Sequence, residues 1–288
     1  MSNFFFLFTT AAAFLLLMTG CTTQPGADLL LKKYFPAATE EHCLLKWHGN
    51  TFKLHPNRQY AVFNRMPVQL PVAPLYGEDK LYKVTPMTLR NIIDPLMTGR
   101  IAPRKVRSVL VDPGHGGHDV GAVGKVSREK DLNFLLALEI RNALQRAGFK
   151  VFMTRTKDVF IPLKERPAMV RKYKADLFIS VHHNASKTNP KAAGVECFAP
   201  RMPRPEDTLL AALVQQHLVP ATGSVNRGVK FANFAVLRNN PVPAILIEAG
   251  FITNAAEERS LADPHWRRRT AQAVAAAVRE YADRVAPR

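Results

Sequence analysis

From about residue 104 to the C-terminus, apolar segments of strand length alternate with segments that have a helical period. Strands that alternate with helices predict a central, mostly parallel sheet covered by helices on both faces. The expected fold class is therefore an α/β three-layer sandwich. The predicted strands are residues 106–111, 150–154, 177–181, 195–199, 234–237 and 244–247, and the predicted helices are residues 131–147, 163–173, 207–217 and 265–285.

Histidine and glutamate side chains lie next to these predicted strands. His115 follows the first strand, His182 ends strand 177–181, and Glu248 ends strand 244–247. Glu129 lies at the start of the first predicted helix, where it can reach the same edge from the side. Because ligands of such sheets gather at the carboxyl ends of the strands, we expect the four residues to meet there. Imidazole and carboxylate groups are the ligands and bases of hydrolytic zinc centres.

Residues 4–18 are almost wholly apolar and are followed closely by Gly20 and Cys21. This run is short for a membrane-spanning helix, which needs about 20 apolar residues. A small residue directly before a cysteine resembles the lipobox of bacterial lipoprotein signal peptides, so residues 1–20 would be the signal and Cys21 would carry the lipid. An uncleaved anchor and an ordinary secretory signal are the alternatives.

In each case the domains lie outside the cytoplasm, and a lipid anchor places them in the cell envelope, facing the periplasm. The residue after the cysteine is Thr22, and not the aspartate that often retains lipoproteins in an inner membrane. The outer membrane is therefore favoured if the organism has two membranes.

The net charge of the chain limits its expected binding partners. The formal net charge of +17 suggests nucleic acid first, but we find no helix-turn-helix, RNA-binding or zinc-finger pattern and expect no nucleic acid. An exported basic protein instead faces anionic headgroups or the carboxylates of cell-wall polymers.

Cys43 and Cys197 have no metal-site or redox spacing, and they could pair or remain two buried thiols.

The segments around the four candidate residues carry a family resemblance. Together they resemble, in order, the zinc-dependent N-acetylmuramoyl-L-alanine amidases of the amidase-3 family. The resemblance covers nearly all of residues 106–285, and no single segment would be specific. The matching segments are residues 112–122, 129–132, 154–155, 175–185, 226–230, 236–238 and 243–254.

The resemblance implies that His115, Glu129 and His182 bind Zn²⁺ and that Glu248 is the catalytic carboxylate. It implies peptidoglycan (muramyl peptide) as substrate, cleaved at the amide bond between N-acetylmuramic acid and L-alanine in cell-wall degradation, turnover or daughter-cell separation. An activator protein is a further expected partner. The alternatives are a non-catalytic peptidoglycan-binding protein and a zinc peptidase acting on another amide bond of the wall.

Neighbouring polar residues have less reactive interpretations. We expect His183 to be a packed or rim histidine, since strand neighbours point to opposite faces, and a ligand role is the alternative. We expect His118 to be a surface residue, and contact with the substrate is the alternative. Asn184 braces the ligand loop by hydrogen bonds. Arg227 and Arg238 are structural or solvated, and pairing with stem-peptide carboxylates is the alternative.

Between residues 200 and 226 the chain has room for one ordinary helix. We therefore expect an open cleft, without a segment that lies across His115 and His182.

Residues 44–103 have a different pattern from the rest. Short strand candidates at residues 44–54, 60–63 and 66–70 precede a helix at residues 87–97. This order resembles the small strand-rich stalk domain, with an amine-oxidase N-terminal-like fold, of some bacterial cell-wall enzymes. We expect a tether at residues 21–43, a small strand-rich N-terminal domain at residues 44–103 and the catalytic domain at residues 104–288. An extension packed onto the main domain is the alternative for the N-terminal region.

Overall fold

A computed structural model of the chain describes Tyr34 and residues 37–287. The expected signal peptide and Cys21 lie outside this part. Between residues 37 and 98 the described chain forms seven short strands and a helix, α1, that contains one π-helical turn. The strands are β1 (Ala37–Ala38), β2 (Cys43–Trp47), β3 (Asn50–Leu54), β4 (Tyr60–Phe63), β5 (Met66–Gln69), β6 (Leu75–Tyr76) and β7 (Tyr82–Lys83), and α1 comprises Pro86–Thr88, the π-helical turn Leu89–Ile93 and Asp94–Thr98.

The remainder of the chain alternates strands and helices, as the sequence predicts. Its strands are β8 (Ser108–Pro113), β9 (Lys150–Met153), β10 (Leu177–Asn184), β11 (Val195–Pro200), β12 (Asn226–Ala232) and β13 (Ala244–Phe251). Its helices are α2 (Glu129–Arg146), α3 (Glu165–Tyr173), α4 (Pro205–Thr222), α5 (Ala255–Ala262) and α6 (Pro264–Arg284).

Eleven strands form one sheet in the order β1-β2-β3-β4-β5-β12-β11-β13-β10-β8-β9. Strand β10 lies between β8 and β13 and is parallel to both, whereas β11 is antiparallel to β13 and parallel to β12. Strands β8, β10 and β13 therefore end at the edge where β11 begins. This arrangement confirms the predicted mostly parallel α/β sheet and defines the edge on which the candidate residues lie.

The two faces of the sheet pack into separate hydrophobic clusters. The larger cluster joins α2, α4 and α6 to one face, with Val109, Ile179 and Ile245 from the central strands. The smaller cluster lies on the other face, where Leu246 and Val170 of α3 are buried. Alternate residues of each central strand enter the two clusters because strand neighbours point to opposite faces. Helices thus cover both faces, which confirms the three-layer architecture.

The N-terminal strands continue the sheet of the main region. Strand β5 pairs with β12 through Val68 and Val229, and Phe52 of β3 belongs to the same buried cluster as Val229. The contact is close at Gly228, which has a φ of +79°, and a Cβ there would collide with the Pro67 carbonyl oxygen. One sheet and one core therefore link the regions, whereas the expected domain boundaries at residues 44 and 104 stay predictions.

One local prediction is wrong, and two elements of the structure were not predicted. Residues 234–237 form a turn instead of a strand, and Val236 and Leu237 from this turn are buried in the smaller cluster. A short apolar run can be a strand or a helical turn, and periodicity does not separate them. Strand β12 was not predicted because Gly228 and polar residues interrupt its pattern, and α5 was missed although Asn254 caps it through N–H groups of Ala256 and Glu257.

Cys43 and Cys197 are both buried and form no disulfide with one another, which corresponds to the second alternative for this pair. Within residues 37–287, each helix is too short or too polar to span a membrane.

Candidate active site

The turn after β8 places His115 at the sheet edge. His115 has a φ of +60°, a conformation that is uncommon for a residue with a side chain. The buried Arg166 stabilises this turn by donating hydrogen bonds to the His115 carbonyl oxygen and to Asp112, both at 2.9 Å. Gly114 has no side chain, and a Cβ there would collide with the His182 ring. The sequence of this turn thus allows two imidazoles to approach one another, with ring centroids 5.0 Å apart.

Glu129, the first residue of α2, lies between the two histidines. Its Oε1 atom is 2.9 Å from His182 Nδ1 and its Oε2 atom is 3.2 Å from His115 Nε2. Burial alone would raise the pKa of Glu129, but the two histidines outweigh it and hold the pKa below the usual range. Glu129 is therefore an anion at neutral pH. One ligand atom from each of the three residues lies within 4.8 Å of the others.

A second layer of hydrogen bonds orients these side chains. Asp119 Oδ2 lies 2.9 Å from His115 Nδ1, which leaves His115 Nε2 facing Glu129. Asn133, which is fully buried, donates to Glu129 Oε1 at 3.2 Å. The other side of the Asn133 amide contacts His183 Nδ1 at 2.7 Å. His183 is itself buried, which lowers its pKa to about 4, so it packs below the cluster as a neutral residue.

Glu248 lies directly beside His182, because the two residues pair in the register of β10 and β13. The residue as a whole is half-buried, yet its Oε2 atom is inaccessible and has no hydrogen-bond partner within the described chain. Burial raises the pKa of Glu248 well above 4.5, and the charges of Glu129 and Glu196 raise it further, whereas Lys230 opposes the shift. A buried carboxyl oxygen without a partner costs about 1–3 kcal/mol, so it marks a position where a proton donor is expected.

Glu196 is a site residue that the sequence did not indicate. It pairs with Glu248 across β11 and β13 and therefore lies on the same face of the sheet. Arg227 Nε donates to its Oε2 at 2.8 Å, Lys230 Nζ contacts the same oxygen, and Asn184 donates to its Oε1 at 2.8 Å. An acidic residue inside an apolar predicted strand was the one available signal. Its significance depends on β11 lying beside β13, which local sequence does not specify.

Two other sequence candidates lie at the surface. His118 is exposed, with its ring 4.3 Å from that of Phe160, and Arg238 is exposed after the turn at residues 234–237. Helix α4 fills the interval between residues 200 and 226 and packs against α6 and β11 in the larger cluster, on the face opposite Glu248. The side chains of His115 and His182 keep 24% and 17% of their surface exposed, and the open cleft stays a prediction.

The donor set fits a zinc ion. Two imidazole nitrogens and one carboxylate oxygen converge, and a catalytic zinc site has three such protein ligands with a fourth position open. The carboxyl of Glu248 lies next to this group on the neighbouring strand. The arrangement therefore combines a potential three-ligand metal site with a separate potential proton acceptor.

Comparisons with known proteins support the family resemblance found in the sequence. The sequence model of the amidase-3 family, described as N-acetylmuramoyl-L-alanine amidase, matches residues 109–280. The N-acetylmuramoyl-L-alanine amidase AmiC of Neisseria meningitidis is 34% identical over 227 residues, covering 64% of this chain, and the chain spans about half (54%) of that relative's length.

Solved structures agree with the sequence match. The N-acetylmuramoyl-L-alanine amidase of Clostridium difficile 630 superposes with a TM-score of 0.60 at 35% identity, covering 62% of this chain and 98% of that one. The CwlD amidase of Clostridioides difficile, in complex with the GerS lipoprotein, superposes with a TM-score of 0.58 at 28% identity, covering 61% and 98%. The chain belongs to the amidase-3 family of N-acetylmuramoyl-L-alanine amidases.

Proposed function

We propose that this protein is a zinc-dependent amidase that hydrolyses the bond between N-acetylmuramic acid and the L-alanine of peptidoglycan stem peptides. The observation that carries the proposal is the convergence of His115, Glu129 and His182 beside Glu248, whose Oε2 atom has no hydrogen-bond partner in the described part of the chain. Membership of the amidase family supports the choice of substrate. Cell-wall degradation, turnover or daughter-cell separation are the processes in which such a reaction is used.

Each residue has a distinct role in this proposal. His115, Glu129 and His182 would hold Zn²⁺, which when bound supplies Lewis acidity for the scissile carbonyl and for a water molecule. Glu248 would accept the proton of the attacking water and return it to the departing amine. Its Oε2 atom has no hydrogen-bond partner within residues 37–287, so it is available to such a proton. Asp119 and Asn133 would keep the ligands oriented.

The test combines metal analysis with product analysis. Purified protein is expected to contain about one zinc per chain and to release free stem peptide and peptide-less glycan from muropeptides. Chelator should abolish the reaction, and zinc should restore it. Glu248→Gln should keep the zinc and reduce kcat at least about 10²-fold, since it removes the proton acceptor.

Other outcomes would contradict the proposal in different ways. Cleavage only between amino acids would indicate a peptidase, and retained binding without cleavage would indicate a peptidoglycan-binding protein. Full activity after removal of all metal would exclude the zinc role.

We also propose that Cys21 anchors the protein in the envelope, facing the periplasm, and that an activator protein regulates it. The lipobox-like sequence supports the anchor, and the CwlD complex with the GerS lipoprotein supports a partner for a member of this family. Cys21→Ala should release the protein from the membrane fraction and remove the lipid detected by mass spectrometry. Retention of that variant in the membrane would contradict the lipid anchor.

A further inference from the structure

A pair of cations borders the site beyond Glu248. Arg227 and Lys230, both on β12, contact the same carboxylate oxygen of Glu196. Glu196 is 2% exposed, whereas the side chains of Arg227 and Lys230 keep 35% and 26% of their surface exposed. A buried anion therefore fixes two partly exposed cations at the rim of the cleft.

These cations retain hydrogen-bond donors that the described part of the chain does not use. Lys230 has three donors, and within residues 37–287 its ammonium forms an ion pair with Glu196 alone. Arg227 donates through Nε to Glu196 and through Nη1 to Ala193, and its guanidinium lies 4.9 Å from the Phe251 ring. Two positive charges thus share one paired carboxylate. The site can accept a further anion without losing the contacts to Glu196.

Lys230 lies on the same face of the sheet as Glu248, the proposed proton acceptor. Glu248 pairs with His182 on one side and with Glu196 on the other, and Lys230 pairs with Phe198, two residues after Glu196. These side chains therefore lie on one face of the sheet. Adjacent strands lie about 4.8 Å apart, so β12 lies about 10 Å from β13. Two to three residues of an extended peptide span about that distance.

We propose that Lys230 and Arg227, held by Glu196, form a subsite for a carboxylate near the start of the stem peptide. This inference rests on the proposed function, because it assigns the peptide side of the substrate to the β12 end of the cleft. The ammonium of Lys230 contributes the main charge-assisted hydrogen bond, and Arg227, which stacks on Phe251, contributes the second.

The test compares two muramoyl-L-alanyl peptides that differ only in the second peptide residue, which carries a free carboxylate or a carboxamide. With the zinc-loaded full chain, we expect kcat/KM to favour the carboxylate about tenfold, as one charge-assisted hydrogen bond would give. Lys230→Met should lower this ratio to the smaller share that Arg227 supplies, chiefly through a higher KM for the carboxylate peptide. Lys230→Arg should preserve most of the preference, and Lys46→Met, an exposed lysine of β2, should preserve all of it.

Binding of both peptides to zinc-loaded Glu248→Gln protein, measured by calorimetry, separates the subsite from the chemistry. A carboxylate preference in binding that Lys230→Met lowers supports the subsite even if neither peptide is cleaved. Absence of cleavage with both peptides would contradict only the proposed function. A wild-type ratio near one, or an equal loss for both peptides in Lys230→Met, would overturn the subsite.

Discussion

Asp119 shows how a single residue outside the candidate ligand set controls the site. Its carboxylate fixes one nitrogen of His115, and it also accepts a hydrogen bond from the Gly121 N–H at 3.2 Å. His115 has a backbone conformation that costs free energy, so its ring position depends on such contacts. The orientation of His115 Nε2 toward Glu129 therefore depends on the contacts that Asp119 makes within this loop.

Asp119→Ala should weaken zinc binding about 10–100-fold, because outer hydrogen bonds orient metal ligands. Competition with a chromophoric chelator measures the dissociation constant. Asp79→Ala, which removes the carboxylate of a remote surface ion pair with Lys83, is the matched control and should bind zinc like the wild type. Equal zinc affinity of Asp119→Ala and the control would show that Asp119 has no part in the metal site.

Sequence reasoning found the residues whose position follows from one strand or one helix start. His182 and Glu248 end predicted strands, and Glu129 begins a predicted helix, so the expected meeting at one edge agrees with the structure. Glu196 and Lys230 were missed because their relation to Glu248 depends on β11 and β12 lying next to β13 in the sheet order. That order comes from tertiary packing, which no local pattern contains.

At the scale of secondary-structure elements, the short helix α5 connects the loops of the site. Glu258 accepts hydrogen bonds from the backbone N–H groups of residues 125–127 at 2.9–3.1 Å, just before Glu129. Glu257 accepts from Phe251 N at 2.7 Å, at the end of β13, and from Gly194 N at 2.8 Å, close to Glu196. Two adjacent carboxylates of one helix thus stabilise three segments that carry candidate residues.

Glu258→Gln should destabilise the fold by about 1–3 kcal/mol at pH 7, since it weakens hydrogen bonds to a charged acceptor. Burial alone would raise the pKa of Glu258, but the backbone N–H groups outweigh it and hold the pKa below 4.5. A depressed pKa in the folded state gives stability that is present above the unfolded value and is lost as pH falls through the folded value. The difference between wild type and variant should therefore shrink below about pH 4.5.

Urea unfolding at several pH values measures this difference. Glu78→Gln, in the exposed turn between β6 and β7, is the control and should match the wild type throughout. A Glu258→Gln deficit that stays constant down to pH 3 would show that the charge of Glu258 is not the source of its contribution.

At the scale of the whole molecule, the N-terminal strands and the main region share one sheet. The strand pairing at this junction is short, because β5 and β12 pair at one position, Val68 with Val229. The buried cluster that includes Leu45, Phe52 and Val229 adds apolar contact across it. Strand β12 also carries Arg227 and Lys230, so the position of the N-terminal strands is coupled to the rim of the site.

The junction can be tested with a matched pair of glycines. Gly228→Ala combines the strain of a positive φ, about 1–2 kcal/mol, with a collision against the Pro67 carbonyl oxygen. Gly223→Ala has a similar φ of +67° but no atom within 4 Å of the added Cβ, so it carries the strain alone. Gly228→Ala should therefore increase amide hydrogen exchange in β4, β5 and β12 well beyond Gly223→Ala, while β8 and β10 stay protected. Equal exchange in the two variants would show that the close contact at Pro67 does not hold the junction together.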